Sequence, residues 1–160
     1  MAKRNESGST IAIAGHPIHP MLVNFPITFL NTTLVTDLVY LWTSNPFWAE
    51  VSFWAIVAGL TTGGVAALVG TLDFMLTPTI RRFMGSWSHF IAGIMVVAIA
   101  GSNLVWRWEN HVEAVLPWGL ALTGLNVIIV MLAGWMGGKL VFDHNIGVSP
   151  PDENHPNGRQ

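Results

Sequence analysis

"SWSHFIAGIMVVAIAGSNLVW", residues 86–106, carries no charged side chain. A helix rises 1.5 Å per residue, so about 20 apolar residues cover the ~30 Å of hydrocarbon in a bilayer. Lipid offers no partner for a free N–H or C=O, so such a stretch closes its backbone bonds within itself as a helix. Three further stretches read the same way. Residues 21–42 hold one charge, Asp37; residues 51–76 end near Asp73; residues 115–136 are uncharged. The fold expected is all-α, an integral membrane four-helix bundle.

Composition agrees. Of the 160 residues, 51% are apolar and 10% charged, against about 25% charged in soluble domains. So few charges do not cover a soluble globule. Eight Trp against one Tyr suits a chain anchored at membrane–water boundaries. A net charge of −2 gives no footing for nucleic acid. With no cysteine, disulfides, thiolate-held clusters, covalently attached haem and thiol nucleophiles are excluded.

The connectors are polar or turn-forming: "TSNP" (43–46), "TPTIRRFMGS" (77–86) and "RWENHVE" (107–113). The organisation expected is a polar segment 1–14, a transmembrane domain 15–148 with spans at about 21–42, 51–76, 86–107 and 115–136, and a flexible tail 149–160. The polar opening "MAKRNESGST" does not read as a removable leader. No convincing repeat relates the two halves. Lys3, Arg4, Arg81, Arg82, Lys139 and Arg159 fall on one side of four spans and Arg107 alone on the other, which predicts cytoplasmic termini. Trp42, Trp48, Trp54, Trp106, Trp108 and Trp118 then mark the outer boundary, Trp87 and Trp135 the inner one. Small residues four apart (Gly59, Gly63 and Ala67; Ala66 and Gly70; Gly134 and Gly138) predict close helix approach inside the bundle.

Histidines are the candidate functional residues. In "GHPIHP" (15–20) His16 and His19 each precede a proline, which favours extended backbone and puts both rings on one face if the segment is polyproline. His89 opens the third span and His144 follows the fourth. A bundle could gather these four at the cytoplasmic end, as bundles do around cofactors. Pro26, inside the first span, predicts a kink or loosened turn, with Asn24 beside it to satisfy the freed backbone.

Three uses follow. A b-type haem needs axial imidazoles on opposite faces, which suits His89 with His16 or His19, with His144 as substitute, and Trp87 and Phe90 as flanking aromatics. A copper, zinc or iron ion would take His16, His19, His89 and Asp73 or Asp143, imidazole suiting all three metals, with Met21, Met75 and Met84 at the same level. Alternatively the imidazoles only cap helix ends or bond carbonyls. A carboxylate within a span is costly and points to a partner: Asp37 is expected to bond Thr33 or Thr36 or to face Asn103, and Asp73 to accept from His89, Arg81 or Arg82. A proton path between the two acids is a further reading. No hydrolase triad, phosphate loop or dinucleotide fingerprint is present, so an independent enzyme is not expected and no catalytic residue is assigned.

"GHPIHPMLVNFPITFL" (15–30), "GTLDF" (70–74) and "GGKLVFDHNIGV" (137–148) together resemble the domain of unknown function 2231 family, bacterial four-span membrane proteins. Members typically open GHPxHPxxVHFP and close GGxLVxxHGxGV; this chain has Asn24 and Asn145 where the family has histidine and glycine. The resemblance implies a bacterial inner membrane protein. Fusion of some relatives to Rieske-type modules implies an electron-transfer setting, with His16, His19, Asp73, His89 and His144 as candidates. The functions expected are therefore a haem-binding electron-transfer subunit, a non-catalytic scaffold within a larger complex, or a metal-ion binding or transport protein. Its partners would be the bilayer, other membrane or redox subunits, or a second copy of itself.

Overall fold

A computed structural model describes residues 9–14, 16–144 and 146. Lys3, Arg4, Asn145, His155, Arg159 and the expected tail lie outside the described residues. Two short strands, β1 (Ala12–Ile13) and β2 (His16–Pro17), form an antiparallel pair. They lead into α1 (Ile18–Leu22), α2 (Asn24–Thr43), α3 (Pro46–Leu76), α4 (Met84–Arg107) and α5 (Trp118–Phe142). Counting α1 and α2 as one run, four helices are long and apolar enough to cross a membrane.

Local chemistry sets the boundaries. The Asn45 side chain accepts from the Phe47 N–H and Pro46 occupies the first helical position, where a missing N–H costs nothing. Ser44 takes the left-handed conformation that closes α2 (φ 51°). The loosened turn expected at Pro26 falls at Val23, which separates α1 from α2, since Pro26 has no N–H for the Leu22 carbonyl. The Asn24 side chain takes no part and is exposed. Helix α5 runs from Trp118 to Phe142, past the uncharged stretch, because no proline follows Pro117 to break it.

Each helix packs on two neighbours: α2 on α3 and α5, α4 on α3 and α5. Helices α2 and α4 thus face each other across one diagonal. Leu30, Ala100 and Val130 fill the centre, with Ile27, Leu60 and Val96 around them. Large apolar side chains such as Leu68, Leu72, Ile91, Ile128 and Met131 point outward, as lipid-facing surfaces require.

The glycine stripes divide. A Cβ at Gly59 would lie 2.7 Å from Leu30, and one at Gly63 would lie 3.4 Å from Pro26, so this stripe brings α3 close to α2. A Cβ at Gly134 or Gly138 would meet nothing. The expected intramolecular contact there is absent, because both glycines lie off the face that α5 turns to its neighbours.

A relation between the halves, not legible beforehand, appears in three dimensions. His19 and His89 occupy equivalent places at the starts of the α1–α2 and α4 spans. Asp37 and Arg107 each follow their histidine by eighteen residues, five turns or about 27 Å. Leu30 and Ala100, eleven residues after the same histidines, meet at the centre. These equal intervals make two hairpins of similar layout, α1–α2 with α3 and α4 with α5, in the order of a parallel repeat.

Candidate functional site

The two ends of the bundle carry different chemistry. At one end His19 and His89 meet, their ring centres 6.1 Å apart and their planes at 78°. His19 Nδ1 lies 2.9 Å from the Ala66 carbonyl of α3, and His89 Nδ1 lies 3.0 Å from the Ala133 carbonyl of α5. A carbonyl only accepts, so Nδ1 is the donating nitrogen in both rings, and in a neutral imidazole the lone pair is then on Nε2.

Each bond depends on a glycine one turn further on. In a helix, the side chain at i+4 leans back over the preceding turn. Glycine at 70 and 137 uncovers the carbonyls of Ala66 and Ala133. A Cβ at Gly70 would sit 2.7 Å from the His19 ring, and one at Gly137 would sit 3.1 Å from the His89 ring. His–Ala–Gly contacts therefore recur in both hairpins. The A-x-x-x-G spacing at 66–70 and 133–137 was the available signal; only Ala66 and Gly70 had been noted, as packing.

The other expected ligands are elsewhere. His16 is exposed, in β2, its Nδ1 3.1 Å from the Ala14 carbonyl. His19, despite preceding Pro20, is helical, because first-turn positions tolerate a proline. The same-face polyproline pair does not form. His144 is exposed and stacks on Phe83 with ring centres 4.6 Å apart. Among the described residues, no group of three or more His, Asp or Glu is placed to hold a metal ion. Met21, Met75 and Met84 are exposed. Trp87 and Phe90 pack on Phe74, each with ring centres 4.8 Å away, so they build an aromatic cluster of their own.

Asp73 is tied to the N-terminal segment rather than to His89 or an arginine. It accepts from Ser9 Oγ at 2.8 Å, Thr10 N at 2.7 Å and Thr77 Oγ1 at 3.2 Å. These bonds fix the strand pair that runs into α1 and so set where His19 enters the bundle. Ser86, one turn before His89, is buried and its hydroxyl has no partner.

At the opposite end Arg107, where the third span was expected to end, is the last residue of α4 and fully buried, at 0% exposure. It forms a two-pronged pair with Asp37, Nη1 to Oδ1 at 2.8 Å and Nη2 to Oδ2 at 2.7 Å. Ser52 of α3 donates to Asp37, and Asn103 Oδ1 accepts from Arg107 Nε at 2.9 Å. Thr123 of α5 accepts from Arg107 Nη2 and donates to Asp37 Oδ2. All four helices contribute, and each charge is paired as burial demands. Thr33 and Thr36 instead bond carbonyls of their own helix. The apolar layer of Leu30, Ala100 and Val130 lies between the two polar ends, and Asp73 is committed to Ser9 and Thr10, so the described residues draw no polar path from Asp37 to Asp73.

Residues 15–150 match the family described as predicted membrane protein (DUF2231). No curated protein and no solved structure matches the chain.

Proposed function

The chain belongs to the DUF2231 family of predicted membrane proteins, and on that premise we propose that it is a membrane-embedded electron-transfer subunit holding a b-type haem iron through His19 and His89. The observation that carries this reading is the pairing of two imidazoles, one from each hairpin, both held by Nδ1 so that Nε2 is left to bind. A backbone carbonyl on the far nitrogen is the usual support for a metal-bound histidine, fixing tautomer and orientation.

The donor set favours haem iron over a bare ion. Zinc, or iron outside a porphyrin, would need further protein donors; His16 and Asp73 are engaged elsewhere. A haem would be held by His19 and His89 alone among the protein's side chains, and would supply reversible one-electron transfer.

A second reading, a non-catalytic scaffold, is favoured by the same hydrogen bonds, since each histidine already ties one helix to another. The two readings separate in one experiment. Protein purified after haem-supplemented expression is examined by absorption spectroscopy and metal analysis on the same preparation. The expected result is a Soret band and about one iron per chain. His19→Ala and His89→Ala each abolish the band, whereas His16→Ala and His144→Ala keep it. A colourless, metal-free protein that unfolds at lower temperature in His19→Ala and His89→Ala supports the scaffold and overturns the haem.

A further inference from the structure

The outward side of α4 at the Arg107 end carries a groove of about 790 Å³, lined by Gly101, Ser102, Val105, Trp106, Trp108 and Glu109. We propose that it binds the headgroup of a phospholipid bearing a primary ammonium, with one acyl chain running down over Gly101 and Val105.

The walls are held in place. Trp106 Nε1 donates to the Ala114 carbonyl at 3.1 Å, which fixes that indole. Trp108 leans on Phe53 with ring centres 6.1 Å apart. Indole faces attract cations, an ammonium among them, through their quadrupole. Glu109 adds a carboxylate at the same mouth. The lower wall is apolar, and a Cβ at Gly101 would meet nothing within 4 Å, so this part of the helix surface is open to a chain.

Charge selects the headgroup. Among the described residues at this end, the exposed ionised groups are Glu50, Glu109 and Glu113. The one arginine there, Arg107, is buried and neutralised by Asp37. His111 leans on Glu50, Nδ1 to Oε2 at 2.7 Å. An anionic headgroup would meet carboxylates with no exposed Lys or Arg to offset them, whereas an ammonium is attracted by both acid and rings. Tryptophans at the ends of all four spans put this mouth at headgroup level.

The test uses full-length protein in detergent, relipidated with equal phosphatidylethanolamine and phosphatidylglycerol, and native mass spectrometry of retained lipid. Phosphatidylethanolamine is expected to be retained roughly fivefold over phosphatidylglycerol. Glu109→Gln and Trp108→Ala, both at exposed positions, should each bring the ratio close to one. Trp135→Ala, at the far end, should leave it unchanged. Equal retention by the unaltered protein, a preference for phosphatidylglycerol, or a ratio that survives both groove variants overturns the proposal.

Discussion

Arg107 reaches across the bundle diagonal to Asp37, and neither side chain exposes any surface. The two residues occupy equivalent places in the two hairpins, each eighteen residues after its histidine. Removing either partner strands a charge in an apolar interior, at a cost of about 3–5 kcal/mol. Arg107→Ala and Asp37→Ala should therefore lose that much stability in detergent, read by reversible unfolding. The exchange Asp37→Arg with Arg107→Asp should recover at least half the loss, since each position offers a similar reach to the axis. A double variant no more stable than the worse single one would refute the equivalence.

The glycine beneath each histidine yields a sharper prediction. Gly70→Ala forces a Cβ to within 2.7 Å of the His19 ring, and Gly137→Ala to within 3.1 Å of the His89 ring. Overpacking of this kind costs about 1–3 kcal/mol, and here it also displaces an imidazole from its carbonyl. If His19 and His89 hold the proposed haem, both variants should weaken its retention, read as a reduced Soret absorbance per mole of protein. Gly70→Ala should do so more, because its contact is tighter. Gly134→Ala, where the new methyl meets nothing, should change stability by no more than about 0.5 kcal/mol. Loss of haem in Gly134→Ala equal to that in Gly70→Ala would break the link between these glycines and the rings.

The bundle itself was readable because uncharged runs of bilayer length leave the backbone one solution. The site was readable only in part. His19 and His89 were among four named histidines, but choosing between them required knowing which rings turn inward. His16 is held outward by its strand pairing, and His144 by stacking on Phe83. Arg107 closes the expected 86–107 span, but its partner Asp37 was not legible, because the string does not say which side of α4 faces the axis. The eighteen-residue interval shared by His19 with Asp37 and His89 with Arg107 was present in the sequence. Without the fold, it had no reason to stand out from chance spacing.

Asp73 gives a third prediction, about the entry of the chain. Its carboxylate accepts from the Thr10 N–H at 2.7 Å and the Ile11 N–H at 3.3 Å. Bonds to a charged acceptor contribute about 1.5–3 kcal/mol. Asp73→Ala should raise hydrogen exchange at the Thr10 and Ile11 amides roughly tenfold to a hundredfold, while the amides of α3 below Asp73 keep their protection. His19 follows this segment directly, so on the proposed haem function the variant should also lower haem content while leaving His19 and His89 in place. Unchanged exchange at Thr10 and Ile11 would show that the segment is fixed by something other than this carboxylate.

Membrane orientation is open to a direct experiment, because the chain has no cysteine of its own. Arg81, Arg82 and Lys139 lie exposed at the histidine end. At the other end Arg107 is sealed inside the bundle, which leaves the basic surface of the described residues on one side. The bias of Lys and Arg toward the cytoplasm then predicts that the His19–His89 pair lies at the cytoplasmic end and the tryptophan-rich groove at the outer one. Thr79→Cys and Asn110→Cys each place one thiol in an opposite loop. A membrane-impermeant maleimide added to intact cells with a permeabilised outer layer should label Asn110→Cys at once and Thr79→Cys only after the inner membrane is opened. The reverse pattern would put the histidine pair on the outer side.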